Sequence, residues 1–256
     1  MLNNKIIIVT GGCSGIGWGI TKAATAAGAT VITCQRSLSG RERIDGLVQD
    51  GFKAEFIELD VSKADAIEPF IDEIIKKHGR IDALVNNAGI TIDEDFFEFP
   101  LEKLDMLWAT NQRSVFLLSQ AAARHMRKAG KGNILNISSN HSKGSVAGYE
   151  MYAGTKGAIS AMTRAMAWSL GPHGIRVNTL SPGLTMTEAV QDVAVSKPGL
   201  MDAFNDLHAT NEVSTVEDIA NIAVFMISDL AKALTGEDIV ADQGVAAQLC
   251  RTDQLK

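Results

Sequence analysis

The sequence predicts an α/β protein, a single doubly wound parallel β-sheet of about seven strands with helices on both faces. Three observations carry that prediction. Short β-branched runs alternate with longer helical patterns along the whole chain, a rhythm that implies right-handed crossovers and a parallel sheet. Hydrophobic residues make up 46% of the 256 residues and aromatics only 5%, so the core is Ala, Val, Ile and Leu, as suits strands buried on both faces. A glycine cluster stands directly between the first strand and the first helix. No internal repeat, low-complexity tract or interdomain linker interrupts the pattern, so residues 1–256 read as one domain.

Residues 5–10 form a short β-branched run that suits a buried strand. Gly11-Gly12-Cys13-Ser14-Gly15-Ile16-Gly17 follows, then an Ala-rich helix to about Ala27, with Gly28 placed as its cap. Strand, glycine loop and helix together bring backbone N–H groups at a helix N-terminus to a phosphate, and glycine is needed because a Cβ would block the tight turn and the close approach. A second strand covers 30–34 and ends in Gln35-Arg36-Ser37. An acid near this point would bind a ribose 2′-hydroxyl, whereas an Arg accommodates a 2′-phosphate, so Arg36 tilts the cofactor toward NADP over NAD. The competing reading is a solvated Arg36 beside Arg41 and Arg43. Residues 53–59 are a third strand ending in Asp60-Val61. Ser62 is placed to cap a helix to about His78, with Pro69 in its first turn or kinking it.

Residues 81–85 are a fourth strand, closed by Asn86-Asn87-Ala88-Gly89, and 93–99 read as a surface loop. One long helix is predicted over 101–128. Asn111 inside it is a poor helix former that needs a reason to be there. The fifth strand, 132–137, delivers Ser138-Ser139 at its C-terminal end, where an open α/β sheet places its ligands. A helix carrying Tyr152 and Lys156 runs to Leu170, and a sixth strand covers 174–180 before Ser181-Pro182-Gly183. Residues 184–212, with Pro198-Gly199 in their middle, read as an irregular lid. An amphipathic helix over 215–230 turns Ile219, Ile222, Ala223 and Met226 inward, and 238–241 form the last strand.

The net charge of -6, without a long basic run, argues against nucleic acid or an anionic membrane as partner. Cys13, Cys34 and Cys250 are scattered, odd in number and without metal spacing, which suits a reduced, cytoplasmic protein. The chain shows neither a cleavable leader pattern at its start nor an apolar run long enough to span a bilayer.

Tyr152 and Lys156 lie four residues apart on one helix face. A cation held beside the phenol favours the phenolate and is expected to lower its pKa toward the working range. On their own the two residues read first as a packing pair, Lys methylenes against a Tyr ring.

The motifs Thr10-Gly11-x-x-x-Gly15-x-Gly17, Asp60-Val61, Asn86-Asn87-Ala88-Gly89, Asn111, Ser139, Tyr152-x-x-x-Lys156 and Pro182-Gly183 agree in type, order and spacing with one family. The chain resembles the short-chain dehydrogenase/reductases over residues 5–244. The resemblance implies a Rossmann-type fold and an NAD(P)-dependent enzyme that moves a hydride between the cofactor and a secondary alcohol or ketone. It implies that Gly11, Ser14, Gly15, Ile16 and Gly17 form the pyrophosphate loop. Asp60 and Val61 would hold the adenine edge, and Asn87, Ala88 and Gly89 would line the adenosine ribose. Tyr152 would be the general acid/base, Ser139 would orient the substrate oxygen, and Lys156 would bind the nicotinamide ribose and lower the Tyr152 pKa. Asn111 would connect the site to solvent through a water, and Pro182, Gly183, Thr185 and Thr187 would grip the carboxamide. The family's catalytic Ser lies thirteen residues before the Tyr, which selects Ser139 over Ser138. Tyr149 has Ala153 where a Lys would stand, so it is either a pocket residue or simple packing. Asp242-Gln243-Gly244 departs from the family's frequent Asp-Gly-Gly, a position tied to subunit contacts.

Asn140, His141 and Tyr149 put polar groups around the expected pocket mouth. His141, two residues past the serine, resembles the arrangement in sugar dehydrogenases of the family. A pocket with buried hydrogen-bond partners selects a hydroxylated substrate, so a sugar, polyol or hydroxy acid is the expected substrate; solvent-facing side chains are the alternative. A 3-oxoacyl or other apolar ketone reductase and a non-catalytic NAD(P)-binding regulator are the competing functions. The family's habit of pairing the two helices that carry Asn111 and Tyr152 implies a homotetramer, otherwise a homodimer.

Overall fold

The computed structural model describes residues 1–248, and Cys250 lies outside the described residues. β1 (Ile6–Thr10) is buried along its whole length. The pleat divides its side chains: Ile6 and Ile8 enter one core cluster, Ile7 and Val9 the other, as the period of two requires. Then come α1 (Gly15–Ala26), β2 (Thr30–Gln35), α2 (Arg41–Gln49), β3 (Ala54–Glu58), α3 (Ala64–His78) and β4 (Ala83–Asn86). α4 (Leu101–Leu107) runs into α5 (Ser114–Ala129) through a π-helical stretch, Trp108–Arg113. β5 (Gly132–Ile137), α6 (Glu150–Leu170), β6 (Ile175–Pro182), β7 (Thr185–Met186), α7 (Glu188–Ser196), α8 (Leu200–Asp206), β8 (Ser214–Thr215), α9 (Val216–Ile227) and β9 (Asp238–Ala241) complete the order.

The main sheet has seven parallel strands in the order β3-β2-β1-β4-β5-β6-β9, and β7 and β8 form a separate two-stranded sheet. The chain winds outward from β1 to β3, then restarts at β4 on the other side of β1. That reversal opens a crevice at the carboxyl ends of β1 and β4, the place where such sheets bind ligands. On one face α1 and α9 bury Ile20, Ala24, Ile219, Ala223 and Met226 against Ile7, Val9, Val31 and Leu135. On the other, Ile67, Phe70, Ile71 and Ile74 of α3 and Leu118 and Met126 of α5 cover Ile8, Ile32, Leu84 and Ile134. Each fully buried Ile or Leu contributes about 1.5–3 kcal/mol, so the crevice is carved from a rigid frame.

The seven strands stand where the sequence places them, within a residue or two. Several finer expectations are corrected. Residues 184–212 are not irregular, since they contain β7, α7 and α8. Their short helices and Pro198-Gly199 break hide the helical period. The predicted single helix over 101–128 is interrupted by the π-helical stretch around Asn111. Ser62 does not cap α3. Lys63 holds the cap position without a side-chain bond, and the Ser62 hydroxyl turns back to Asp60 Oδ1 at 2.7 Å. Pro69 lies past the first turn of α3, which continues to His78. α2 was not anticipated, because its Arg41-Glu42-Arg43 start offers no apolar stripe.

Candidate active site

The glycine loop leaves β1 at Gly11, whose φ of +64° favours glycine. A Cβ at Gly17 would stand 2.2 Å from the Gly11 carbonyl oxygen, so only glycine lets α1 start this close to the strand. Thr10 and Asn87 pin the loop. The Asn87 amide donates to the carbonyls of Thr10 and Gly11 at 2.9 and 3.2 Å, and Thr10 Oγ1 accepts from the N–H groups of Asn87 and Ala88, both at 3.0 Å. Asn87 is thus turned toward the loop, not held free for a ligand. Ser14 takes the cap position of α1, exposed and with no cap bond from its side chain. The Ser14 hydroxyl is thus exposed at the helix N-terminus, whose first N–H groups have no intrahelical partner, an arrangement that suits an anion; Ile16 is half-buried.

On the nucleotide side, Val61 is buried and Asp60 is half-buried. Burial alone would raise the Asp60 carboxyl, but hydrogen bonds from the hydroxyl and N–H of Ser62, helped by Lys63 and Arg36, hold it below its usual range. Arg36 is exposed just past β2, free to meet an anion.

At the carboxyl ends of β4 and β5 the structure gathers Asn111, Ser139, Tyr152 and Lys156. Asn111 is fully buried in the π-helical turn. Its Oδ1 accepts from the Ile90 N–H and its Nδ2 donates to the Ile90 carbonyl, both at 2.8 Å. Those bonds supply the reason for an Asn inside a helix, and π-helical turns recur at functional sites. Asn111 thereby fixes the chain just before Thr91, whose hydroxyl, like that of Ser139, favours the ionised form of the Tyr152 phenol. Ser139 Oγ accepts from the His141 N–H at 3.2 Å. Its neighbour Ser138 instead donates to the Lys156 carbonyl at 2.9 Å, locking α6 onto the end of β5.

Lys156 is buried, with Nζ donating to the Ile137 carbonyl at 3.0 Å and lying 5.7 Å from the centre of the Tyr152 ring. Burial lowers its pKa to about 8. The expected lowering of the Tyr152 pKa is not found. Burial pushes the phenol above its ordinary value, the Ser139 and Thr91 hydroxyls pull it part of the way back, and Tyr149 raises it further. The ammonium's hydrogen bond goes to the main chain, and it lies over the ring face. A Cβ at Gly89 would fall 3.3 Å from Asn111 Oδ1 and 3.6 Å from Lys156 Nζ, so glycine keeps clear the space in front of the lysine. Glycine loop, open helix N-terminus and this clearance together fit a dinucleotide lying along the crevice.

Three rings close the far side. His141 stands 5.0 Å from Tyr149 and 5.5 Å from Tyr152 between centroids, and Tyr149 stands 6.2 Å from Tyr152. Tyr149 thus packs on the rings beside the site. Partial burial lowers the His141 pKa, so the ring is neutral near pH 7, with Nδ1 2.9 Å from Ser145 Oγ. The loop beneath is anchored twice: Asn140 Nδ2 donates to buried Asp242 at 3.2 Å, and Lys143 pairs with Asp238 at 2.8 Å. Pro182 ends β6 buried, Gly183 passes so close that a Cβ would lie 2.5 Å from Asp242 Cβ, and Thr185 Oγ1 donates to the Gly183 carbonyl at 3.1 Å. Thr187 caps α7, with Oγ1 accepting from Val190 N–H. Sequence reasoning missed Thr91, which was findable as the hydroxyl two residues beyond Gly89.

A parallel sheet with a reversed strand order, a glycine loop at the reversal and a Tyr–Ser–Lys cluster beside it, its lysine and serine buried and its tyrosine half-buried, define a dinucleotide-binding oxidoreductase. A family model described as enoyl-(acyl carrier protein) reductase matches residues 11–246. Cyclopentanol dehydrogenase of Comamonas sp. is 32% identical over 96% of this chain and 98% of its own length. L-xylulose reductase of Bos taurus is 34% identical over 96% and 98%. The solved structure of a gluconate 5-dehydrogenase from Burkholderia cenocepacia, in complex with NADP and tartrate, superposes with a TM-score of 0.91 at 28% identity, covering 97% of each chain. The chain belongs to the short-chain dehydrogenase/reductase family and is an NAD(P)-dependent oxidoreductase. Among the described residues no helix is long and apolar enough to cross a membrane.

Proposed function

We propose that the chain interconverts a secondary alcohol and its ketone on a hydroxylated substrate, a sugar, polyol or hydroxy acid, with Tyr152 as general acid/base. The observation that carries this reading is the Tyr152 ring with the buried Lys156 ammonium 5.7 Å from its centre, beside the space Gly89 leaves open. The nicotinamide cofactor supplies or takes up the hydride when bound. The chain's own part is to orient and to move one proton. Ser139, whose oxygen accepts from the His141 N–H and whose hydroxyl donates to Asn140 Oδ1 at 3.5 Å, turns that proton to the substrate oxygen, where negative charge grows during reduction. Tyr152, protonated near neutrality because burial raises it, delivers its proton as the alkoxide forms. Lys156 would hold the nicotinamide ribose. Asn111 acts through Ile90 and Thr91, with the solvent link the family implies.

The hydroxylated substrate finds support in Asn140, His141 and Tyr149 at the mouth, and in relatives that carry the names of a xylulose reductase and a gluconate dehydrogenase. A small cyclic alcohol is the second reading, favoured by the three packed rings and by the cyclopentanol dehydrogenase relative. Exposed Arg36 supports NADP over NAD. Trp108, Phe116 and Trp168, large and exposed on the Asn111 turn, α5 and α6, support pairing of copies as a homotetramer, otherwise a homodimer, which sedimentation would read. One domain, a lid over 184–212 and a cytoplasmic setting complete the reading.

Tyr152→Phe tests it. Turnover should fall by about 10²–10⁴ while calorimetric NADP affinity holds. Retained turnover would remove Tyr152 from the chemistry. A panel of polyols, hydroxy acids and cyclopentanol, followed by nicotinamide absorbance, separates the two substrate readings.

A further inference from the structure

Arg43 stands apart from the arginine that the sequence singled out. It comes from α2, and its guanidinium reaches back over the glycine loop. Nη1 donates to the Cys13 carbonyl at 3.3 Å, and the guanidinium carbon lies 5.8 Å from the centre of the Trp18 ring. Nη2 donates to both carboxylate oxygens of Glu188, at 2.7 and 2.9 Å. Glu188 opens α7, and Thr187 just before it rests on the loop, since a Cβ at Gly15 would meet Thr187 Cγ2 at 3.3 Å. One ion pair therefore joins the nucleotide side of the crevice to the segment after β6.

A guanidinium accepts carboxylate and phosphate oxygens alike. Arg43 is held beside the open N-terminus of α1, where the loop is shaped for an anion, yet its present partner is a carboxylate from the segment across the crevice. The side chains of Arg43 and Glu188 are 37% and 60% exposed, so their pairing is weak and can change partners. We propose that Arg43 is a phosphate-binding residue of the cofactor site, and that Glu188 is its intramolecular competitor. The carboxylate occupies the guanidinium until a cofactor phosphate displaces it, and that exchange detaches the start of α7 from the glycine loop. The inference rests on the nicotinamide-cofactor reading. The phosphate comes either from the pyrophosphate shared by NAD and NADP or from the 2′-phosphate of NADP alone.

Calorimetric titration of the full chain with NADP, NAD, 2′,5′-ADP and ADP tests the exchange. Failure of the wild-type chain to bind any of them would overturn the cofactor reading itself, before Arg43 is considered. With binding in hand, Glu188→Gln should tighten it by about threefold, the size expected from releasing an exposed pair. Arg43→Gln should weaken it by about tenfold. In the double variant the gain from Glu188→Gln should vanish, because the residue being contested is gone. A gain confined to NADP and 2′,5′-ADP assigns the contact to the 2′-phosphate, and one shared with NAD and ADP assigns it to the pyrophosphate. Unchanged or weakened binding in Glu188→Gln, or a gain that persists without Arg43, overturns the proposal.

Discussion

The floor of the site and the segment across from it are held in opposite ways. Beneath Ser139 and Tyr152, buried side chains form a continuous ladder. Asn86 Nδ2 donates to Asn136 Oδ1, Asn136 Nδ2 donates to Thr163 Oγ1, and Thr179 Oγ1 donates to Thr163 Oγ1, all at 2.8 Å. This ladder ties β4, β5, β6 and α6 together, and Ser138 adds its bond to the Lys156 carbonyl. Over residues 184–212 the ties are fewer: among them a two-residue strand pair, an exposed ion pair from Glu188 and bonds from Ala209 and Thr210 to Gln243, with Thr185, Ala194 and His208 buried beneath. Chemistry that needs sub-ångström placement stands on the ladder. On the proposed reading, substrate recognition falls to the more lightly attached segment.

The sharpest way to break this contrast is Asn136→Ala. It strips two partners from a buried network, and a loss of about 3 kcal/mol is expected. That corresponds to a melting temperature lower by roughly 5–10 °C, with turnover falling because α6 loses its register. A melt within a degree of wild type would mean that the ladder does not hold the floor.

Lys156→Met probes the cost built into the floor. Burial brings the Lys156 pKa from 10.5 to about 8, so between those values the unfolded chain carries a proton that the folded one has released. Stability from this group therefore rises with pH across that window, by up to about 3 kcal/mol. Below pH 8 the wild-type chain bears the full penalty. Tyr152, raised above 10, works the other way only beyond the window, where the folded chain keeps a proton the unfolded one loses. Melting temperatures of wild type and variant from pH 7 to 10 should converge or cross in favour of wild type. A constant gap would contradict the burial argument.

Thr91→Val asks for less. With only two tyrosines in the chain, a Tyr149→Phe background leaves one phenol, and its ultraviolet titration reads Tyr152 directly. Without the Thr91 hydroxyl, which stabilises the ionised form, the titration should move to higher pH, and turnover should fall by about tenfold. A shift to lower pH, or none, would show that Thr91 packs without bonding.

The same contrast explains what the sequence made legible. β1, β4, β5 and β6 are apolar runs ending in motif residues, so local pattern and global fold agree, and the family resemblance those motifs carry placed Ser139, Tyr152 and Lys156. Asn111 looked misplaced in a helix because its partners, the main-chain groups of Ile90, are 21 residues away and invisible to helical periodicity. The direction of the Tyr152 shift was misjudged for a related reason: spacing puts Lys156 near the ring, but only the fold shows how deeply both are buried and that Nζ turns to Ile137. In 184–212, helices of 9 and 7 residues are too short for a convincing period, and the Pro198-Gly199 break disguised them as loop.

The smallest predicted effect lies on that segment. Val195 of α7 is 87% exposed while Ala194 beside it is buried, so α7 shows an apolar side chain outward that the described residues leave uncovered. On the contrast drawn here, Val195→Asp should change stability by no more than about 0.5 kcal/mol, as substitutions at uncovered surface positions do. Thermal melting of the dilute protein reads that figure, and sedimentation of the same sample reads the assembly. If the melt drops by several degrees and the sedimenting mass falls with it, Val195 is covered by a second copy, and the segment is held from outside the chain. If the melt drops while the mass stays constant, α7 packs more tightly than its few ties suggest, and the division between a pinned floor and a lightly attached segment is wrong.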